Sequence, residues 1–268
     1  MSGPRFLLDG RAVAAADAVL GAETGLVRSG EGWFETLRCE QGRWMFEGEH
    51  LARMEASVAA AGLDAGAALQ AARATLQAAS SDAARTARLR LLVTPSPAVE
   101  AGWQALGELA DYAPPASHYR AGIALCSAAS EHPGLGRLGK SASYHWSQFA
   151  QREAERAGAD EALFWRQGAV AECARSTLLW REGGRWWRPD AGGLLESVTL
   201  AALEAGGLEV ARGSLDASRL AACEGLVLVS ALRLAAPVRS LDGRALPLLA
   251  DEAAALRALL LAQHERSR

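Results

Sequence analysis

Lysine is nearly absent from this chain. Among 268 residues it carries 28 lysines and arginines together, and Lys140 is the lone lysine. Cysteine is scarce too. Cys39, Cys126, Cys173 and Cys223 lie far apart and form no C-x-x-C pair. They read as buried free thiols in a reducing compartment, so a cytoplasmic location is expected. No run of eighteen apolar residues occurs, which argues against a membrane span. The opening "MSGPRFLLDGRAVAAADAVLGAE" carries acids and glycines through its apolar stretch and makes a poor secretory signal. A formal net charge of -3 gives no electrostatic ground for nucleic-acid binding. His50 follows Glu49, but no second histidine stands at ligand spacing, so zinc is not expected. The G-x-S-x-G elbow and the G-x-x-x-x-G-K-[ST] loop are both missing. "GLGRLG" at 134–139 has dinucleotide-type glycine spacing but opens no clear helix, and it reads as a loop.

What is present is ordinary for a globular protein: 50% hydrophobic and 22% charged residues. The length fits one large or two modest domains. Hairpin signals recur around Asp9-Gly10, Gln41-Gly42, Gln167-Gly168 and Gly183-Gly184. Between them the period turns helical. Leu51, Met54, Val58 and Ala61 share a face, with Gly62 as the stop. A second helix follows in "AALQAARATLQAAS", then a strand in "ARLRLLVT". Residues 95–118 hold four of the nine prolines and read as the stretch that ends the first domain. Beyond it come a strand "AGIALCS", the glycine loop, and a helix over roughly 144–157 with Phe149, Ala150, Ala154 and Ala157 expected inward. "SVTLAALEAGG" is a short helix, "GLVLVS" a buried strand, "PVRSLDG" an edge strand and turn, and residues 251–264 a closing helix. Trp180, Trp186 and Trp187 fall in a strand hairpin, where packing is the plain explanation.

Why one lysine stands among arginines is the chemical question. Arginine stays protonated in proteins, whereas a primary amine can lose its proton and attack a carbonyl. Lys140 is therefore a candidate Schiff-base nucleophile. The pyridoxal phosphate form of that chemistry needs an anion cup and a partner for the pyridine nitrogen. Ser197 suits a helix N-cap, which leaves the N–H groups of Val198 and Thr199 facing outward as a cup. Glu172 stands at a strand end in "GAVAECARS", either as the pyridine partner or as a rim carboxylate paired with Arg175. Arg53, on the polar flank of its helix, is either a phosphate-binding guanidinium or a solvated helix arginine.

These pieces together resemble one family. "GEGWFETLRCEQGRW" with "EGEHLARMEASVAAAGL" is similar to the N-terminal signature of the class IV aminotransferases, the fold-type-IV pyridoxal-phosphate enzymes. "GKSASYHWSQFAQREAERAGADEALFWRQGAVAECARSTLLW" looks like their central block. "LLESVTLAAL" falls at their phosphate loop, and "SALRLAAPVRSLDG" at their closing segment. The resemblance covers nearly the whole chain. It implies an α/β protein with an α+β N-terminal domain, 1–117, and a larger mixed, β-barrel-like C-terminal domain, 118–268, with the site between domains. It further implies a homodimer acting on a small-molecule amine, with no nucleic-acid or membrane partner. Lys140 would be the Schiff-base lysine and proton shuttle, with Glu172 at the pyridine nitrogen. Arg53, Val198 and Thr199 would hold the phosphate, Tyr144 would lie near the phenolic oxygen, and Ser230 at the last phosphate-contacting position.

Departures from the family pattern cluster at the cup: Thr177, Glu196, Ser197, Leu200 and Ala231, together with Ser143 after the lysine. Length and "FETLR" are most like the 4-amino-4-deoxychorismate lyases, which release pyruvate and 4-aminobenzoate, a folate precursor. An amino-acid transaminase would use the same residues. A divergent binding protein that kept the fold would explain the altered cup.

Overall fold

The computed structural model describes residues 3–80 and 86–266. Among these the chain forms two compact units, Met1–Ala113 with Gly136–Ser143, and Pro114–Leu135 with Tyr144–Arg268.

The first unit runs β1 (Arg5–Leu8), β2 (Arg11–Val13), α1 (Gly25–Ser29), β3 (Trp33–Glu40), β4 (Arg43–Trp44), α2 (Glu47–Ala60), α3 (Ala65–Ala79), β5 (Ala87–Pro95) and β6 (Trp103–Asp111). The strands make an antiparallel sheet in the order β2-β1-β6-β5-β3-β4. Two-residue turns at Asp9-Gly10 and Gln41-Gly42 have positive φ at both positions, the twist that a tight hairpin needs. Alternation sends Leu37, Leu89 and Leu91 to one face, where they are buried with Met54 and Val58 of α2 and Leu76 of α3. Ala61, expected on that face, is exposed just past the end of α2.

Two sequence expectations change here. The proline-rich stretch 95–118 contains β6, which pairs with both β1 and β5. Its prolines flank a clean alternation, Trp103, Ala105, Gly107 and Leu109 inward, that their density obscured. The segment Gly136–Ser143, expected in the second domain, belongs to the first unit. Backbone hydrogen bonds fix it there: Phe34 N–H donates to the Lys140 carbonyl at 2.9 Å and Ala142 N–H to the Gly32 carbonyl at 2.7 Å.

The second unit runs α4 (Ala116–Arg120), β7 (Ile123–Ser127), α5 (His145–Arg156), β8 (Glu161–Arg166), β9 (Ala169–Cys173), β10 (Thr177–Glu182), β11 (Arg185–Pro189), α6 (Val198–Ala205), β12 (Val210–Gly213), α7 (Ala217–Ala222), β13 (Gly225–Ser230), β14 (Leu234–Leu241), β15 (Arg244–Ala245) and α8 (Ala250–Arg266). Its mixed sheet is ordered β12-β11-β10-β13-β14-β7-β8-β9, with β15 on β14. The sheet curls until Ala169 at the start of β9 bridges Asp216, just beyond β12. Ile123, Leu163, Trp180, Leu226 and Val238 fill the core that the curl encloses.

Helix α5 turns Ser147, Ala150, Gln151 and Ala154 inward. Phe149 is 51% exposed and Ala157 lies on the surface, contrary to expectation. The i, i+3, i+4, i+7 stripe that starts at Ser147 is polar in half its members, so apolarity alone pointed one residue off. Strand β14, expected at an edge because of Pro237, is central between β13 and β7. Its parallel pairing with β7 begins at Val238, one residue past the proline.

Candidate active site

In the first unit the chemistry gathers at β3, α2 and the returning segment Gly136–Ser143. Alternation along β3 sends Phe34 and Glu35 to opposite faces. Lys140 Nζ lies 4.8 Å from the centre of the Phe34 ring, which Arg90 also approaches, at 4.1 Å. The Lys140 backbone is pinned by the Phe34 N–H, and the Trp33 indole donates to the Leu138 carbonyl at 3.1 Å. Gly139 (φ 66) lets the chain pass against α2, where a Cβ would meet Ser57 Oγ at 1.9 Å.

On the other face of β3, Glu35 is buried and receives two side chains from α2. Arg53 donates through Nε (2.8 Å) and Nη2 (2.5 Å), and His50 Nδ1 lies 2.7 Å from Glu35 Oε2. Burial pushes the Glu35 carboxyl up, but Arg53 and His50 outweigh it and hold it at about 2. His50 and Arg53 sit one helical turn apart on α2, so both reach one carboxylate. The Arg53 fork is thus engaged with Glu35. Sequence reading treated His50 only as a zinc candidate, and among the described residues no metal-binding cluster occurs.

In the second unit Glu172 on β9 pairs with His132 at 2.6 Å, not with Arg175. Arg175 reaches Glu155 at 3.6 Å, and its backbone N–H donates to Glu161. Tyr144 donates its hydroxyl to the Ala174 carbonyl, which Ser147 also reaches at 2.7 Å. Burial drives the Tyr144 phenol up to about 12, with the nearby Glu172 charge adding to it and Ser147 opposing.

Ser197 caps α6 as expected, accepting from the Leu200 N–H at 3.2 Å. Val198, Thr199 and Leu200 are all buried at this first turn. The first-turn N–H groups of Val198 and Thr199 have no carbonyl behind them within the helix. Glu196 turns outward, 74% exposed, to Arg188 at 3.3 Å. Ser230, at the end of β13, accepts from the Arg233 N–H at 3.4 Å. Arg233 itself binds Glu161, a fully buried carboxylate that also accepts from Ser176 at 3.1 Å. His132 carried no sequence signal, and Glu161 entered only as part of the central block that carries the resemblance. His132 stands forty residues from Glu172, and only the strand pairing of β7, β8 and β9 brings these regions together.

A family model described as amino-transferase class IV matches residues 32–241. The chain belongs to that family. No curated protein sequence matches it. Among solved structures, a hypothetical aminotransferase of Mycobacterium tuberculosis in an alpha-ketoglutarate and PMP bound form is 25% identical. The match covers 98% of this chain and 100% of that one with a TM-score of 0.81. The branched-chain amino acid aminotransferase of Escherichia coli is 19% identical (92% and 89% covered, TM-score 0.76). The 4-amino-4-deoxychorismate lyase of Pseudomonas aeruginosa is 24% identical (93% and 97% covered, TM-score 0.74). No helix among the described residues is long and apolar enough to cross a membrane.

Proposed function

We propose that this chain is a pyridoxal 5'-phosphate-dependent lyase that converts 4-amino-4-deoxychorismate to 4-aminobenzoate and pyruvate. The observation that carries the reading is the setting of Lys140, an amine held over an aromatic face on a backbone pinned to β3. Such a setting suits a nucleophile that must return to one place after each proton transfer.

The residues present fit the cofactor. The α6 N-terminus offers first-turn N–H groups at Val198 and Thr199, and Glu196 is turned away from it toward Arg188. Glu172 is a carboxylate oriented by a buried histidine and suits a pyridine N–H. When bound, the cofactor supplies an electron sink for the carbanion. Lys140 would attack its carbonyl and afterwards carry the proton removed from substrate. Val198 and Thr199, with Arg53 and Ser230, would hold the phosphate. Arg53 would do so while braced by Glu35. Tyr144 would stand near the ring's phenolic oxygen. Homodimer assembly is part of this proposal.

The "FETLR" stretch and a likeness over nearly all of a 4-amino-4-deoxychorismate lyase favour elimination of pyruvate. A second reading, amino-acid transaminase, is favoured by the aminotransferase structures of comparable similarity. Incubation with 4-amino-4-deoxychorismate and no keto acid decides between them. Pyruvate and 4-aminobenzoate in equal amounts are expected, and turnover that starts only when a keto acid is added would establish the transaminase instead.

A further inference from the structure

We infer that His132 is a positioning residue that holds Glu172 as an ionised, aimed hydrogen-bond acceptor. The inference rests on the cofactor reading above for its purpose, but on the geometry of the second unit for its substance.

The imidazole is gripped on both nitrogens. Gly134 N–H donates to Nδ1 at 3.0 Å. A nitrogen that accepts cannot also carry the proton, so the proton sits on Nε2. Nε2 faces Glu172 Oε1 at 2.6 Å and donates to it. The ring is neutral and the carboxylate receives. Among the described residues His132 is the one hydrogen-bond donor to Glu172, which leaves Oε2 available for a second donor such as a ring N–H.

The setting of the histidine is built around this tautomer. Its own backbone N–H donates to the Trp165 carbonyl at 2.8 Å. Trp146 meets the ring edge-on at 5.1 Å and Phe164 at 5.8 Å. The His132 side chain is 1% exposed and that of Glu172 16% exposed, so water competes little for the bond. Gly134 has φ of 70, and a Cβ there would fall 2.1 Å from Arg166 Nη1. A side chain at 134 would be strained at that φ and would displace the Arg166 guanidinium. The first glycine of "GLGRLG" serves this fold-back, a purpose unlike the phosphate binding its spacing hinted at. A hydrogen bond donated to a carboxylate favours its charged form and fixes its direction.

The test uses the full chain with pyridoxal 5'-phosphate as the probe. ¹⁵N spectra of histidine-labelled wild type are expected to show His132 with Nδ1 unprotonated and Nε2 protonated. His132→Phe keeps the ring packing and loses the donor. It is expected to weaken pyridoxal phosphate binding on the order of 10-fold and to shift the visible absorption of the bound form. His132→Gln, whose amide reaches about as far as Nε2, is expected to restore most of both. A proton on Nδ1, or unchanged affinity and absorption in His132→Phe, would overturn the inference. If wild type binds no pyridoxal phosphate, the cofactor reading falls, and the nitrogen spectrum alone still decides whether His132 holds Glu172.

Discussion

Glu35 and Arg53 face each other through two hydrogen bonds, Nε to Oε1 at 2.8 Å and Nη2 to Oε2 at 2.5 Å, across the interface of β3 and α2. The Glu35 carboxyl is held at about 2 against an ordinary value of 4.5. A depressed carboxylate contributes stability that is complete above the ordinary value and fades as pH falls toward the folded one. The contribution is about 3 kcal/mol, from the size of the shift. Glu35→Gln removes it and takes the opposite charge away from the mostly buried Arg53. Urea unfolding at pH 6 and pH 2 checks this. The gap between wild type and Glu35→Gln is expected to shrink by about 3 kcal/mol as pH drops. A gap of constant size would mean the pair does not titrate in that window.

Lys140→Arg keeps a cation over Phe34 but removes an amine able to give up its proton. Turnover is expected to fall by at least ~100-fold with little change in melting temperature. Borohydride reduction in the presence of pyridoxal phosphate, followed by peptide mapping, offers an independent readout. With one lysine in the chain, a stable adduct on an internal peptide has one place to be. Adduct found only at the N-terminal amine would remove Lys140 from the chemistry.

Much of the fold was legible in the sequence because its signals are local. The hairpin turns at Gln41-Gly42, Gln167-Gly168 and Gly183-Gly184 each stand where expected. Strand β6 was not legible, since the prolines around it outweighed its alternation. The central place of β14 was hidden because Pro237 is compatible with a sheet interior only where the next ladder starts after it. The candidate site divides the same way. Lys140 announced itself by its rarity, and Ser197 by its type and place before an apolar helix. His132, Glu35 and Glu161 are buried polar groups whose partners come from other parts of the fold, β9 for His132 and helix α2 for Glu35, and one sequence does not show such pairings.

Release of pyruvate separates the two proposed reactions through the fate of the same carbanion. A lyase turns over repeatedly without an acceptor and returns the cofactor to its aldehyde form. A transaminase stops after one turnover and leaves the amine form. Stopped-flow absorbance with limiting enzyme is expected to show the aldehyde form persisting while pyruvate accumulates. Conversion to the amine form with no pyruvate released would favour the transaminase.

Glu196 was the departure most hostile to an anion, and its carboxylate points to Arg188 instead. Glu196→Gln is therefore expected to change pyridoxal phosphate affinity by less than about 3-fold, as for an exposed surface pair. Ser197→Ala removes the cap from the Leu200 N–H and is expected to cost about 1 kcal/mol of stability. Fluorescence titration checks the first and thermal unfolding the second. A tenfold tightening in Glu196→Gln would show that this carboxylate reaches the cup.

Gly139 places Lys140 by letting the backbone touch α2. At φ 66, with Ser57 Oγ 1.9 Å and Ser57 Cβ 2.2 Å from a built Cβ, alanine meets both strain and collision. Gly168 has a comparable φ of 79 and nothing within 4 Å of its built Cβ. The left-handed conformation costs an alanine roughly 1–2 kcal/mol at either site. Overpacking adds about 1–3 kcal/mol at Gly139 alone. Ser57 donates to the Arg53 carbonyl at 2.6 Å, so the collision also presses on the helix turn that carries Arg53. Gly139→Ala is expected to lower kcat by on the order of 10²-fold, the consequence of displacing a reacting group by about 1 Å. Gly168→Ala is expected to lose stability and keep its kcat. Equal kcat in the two variants would mean that the approach to Ser57 does not position the lysine.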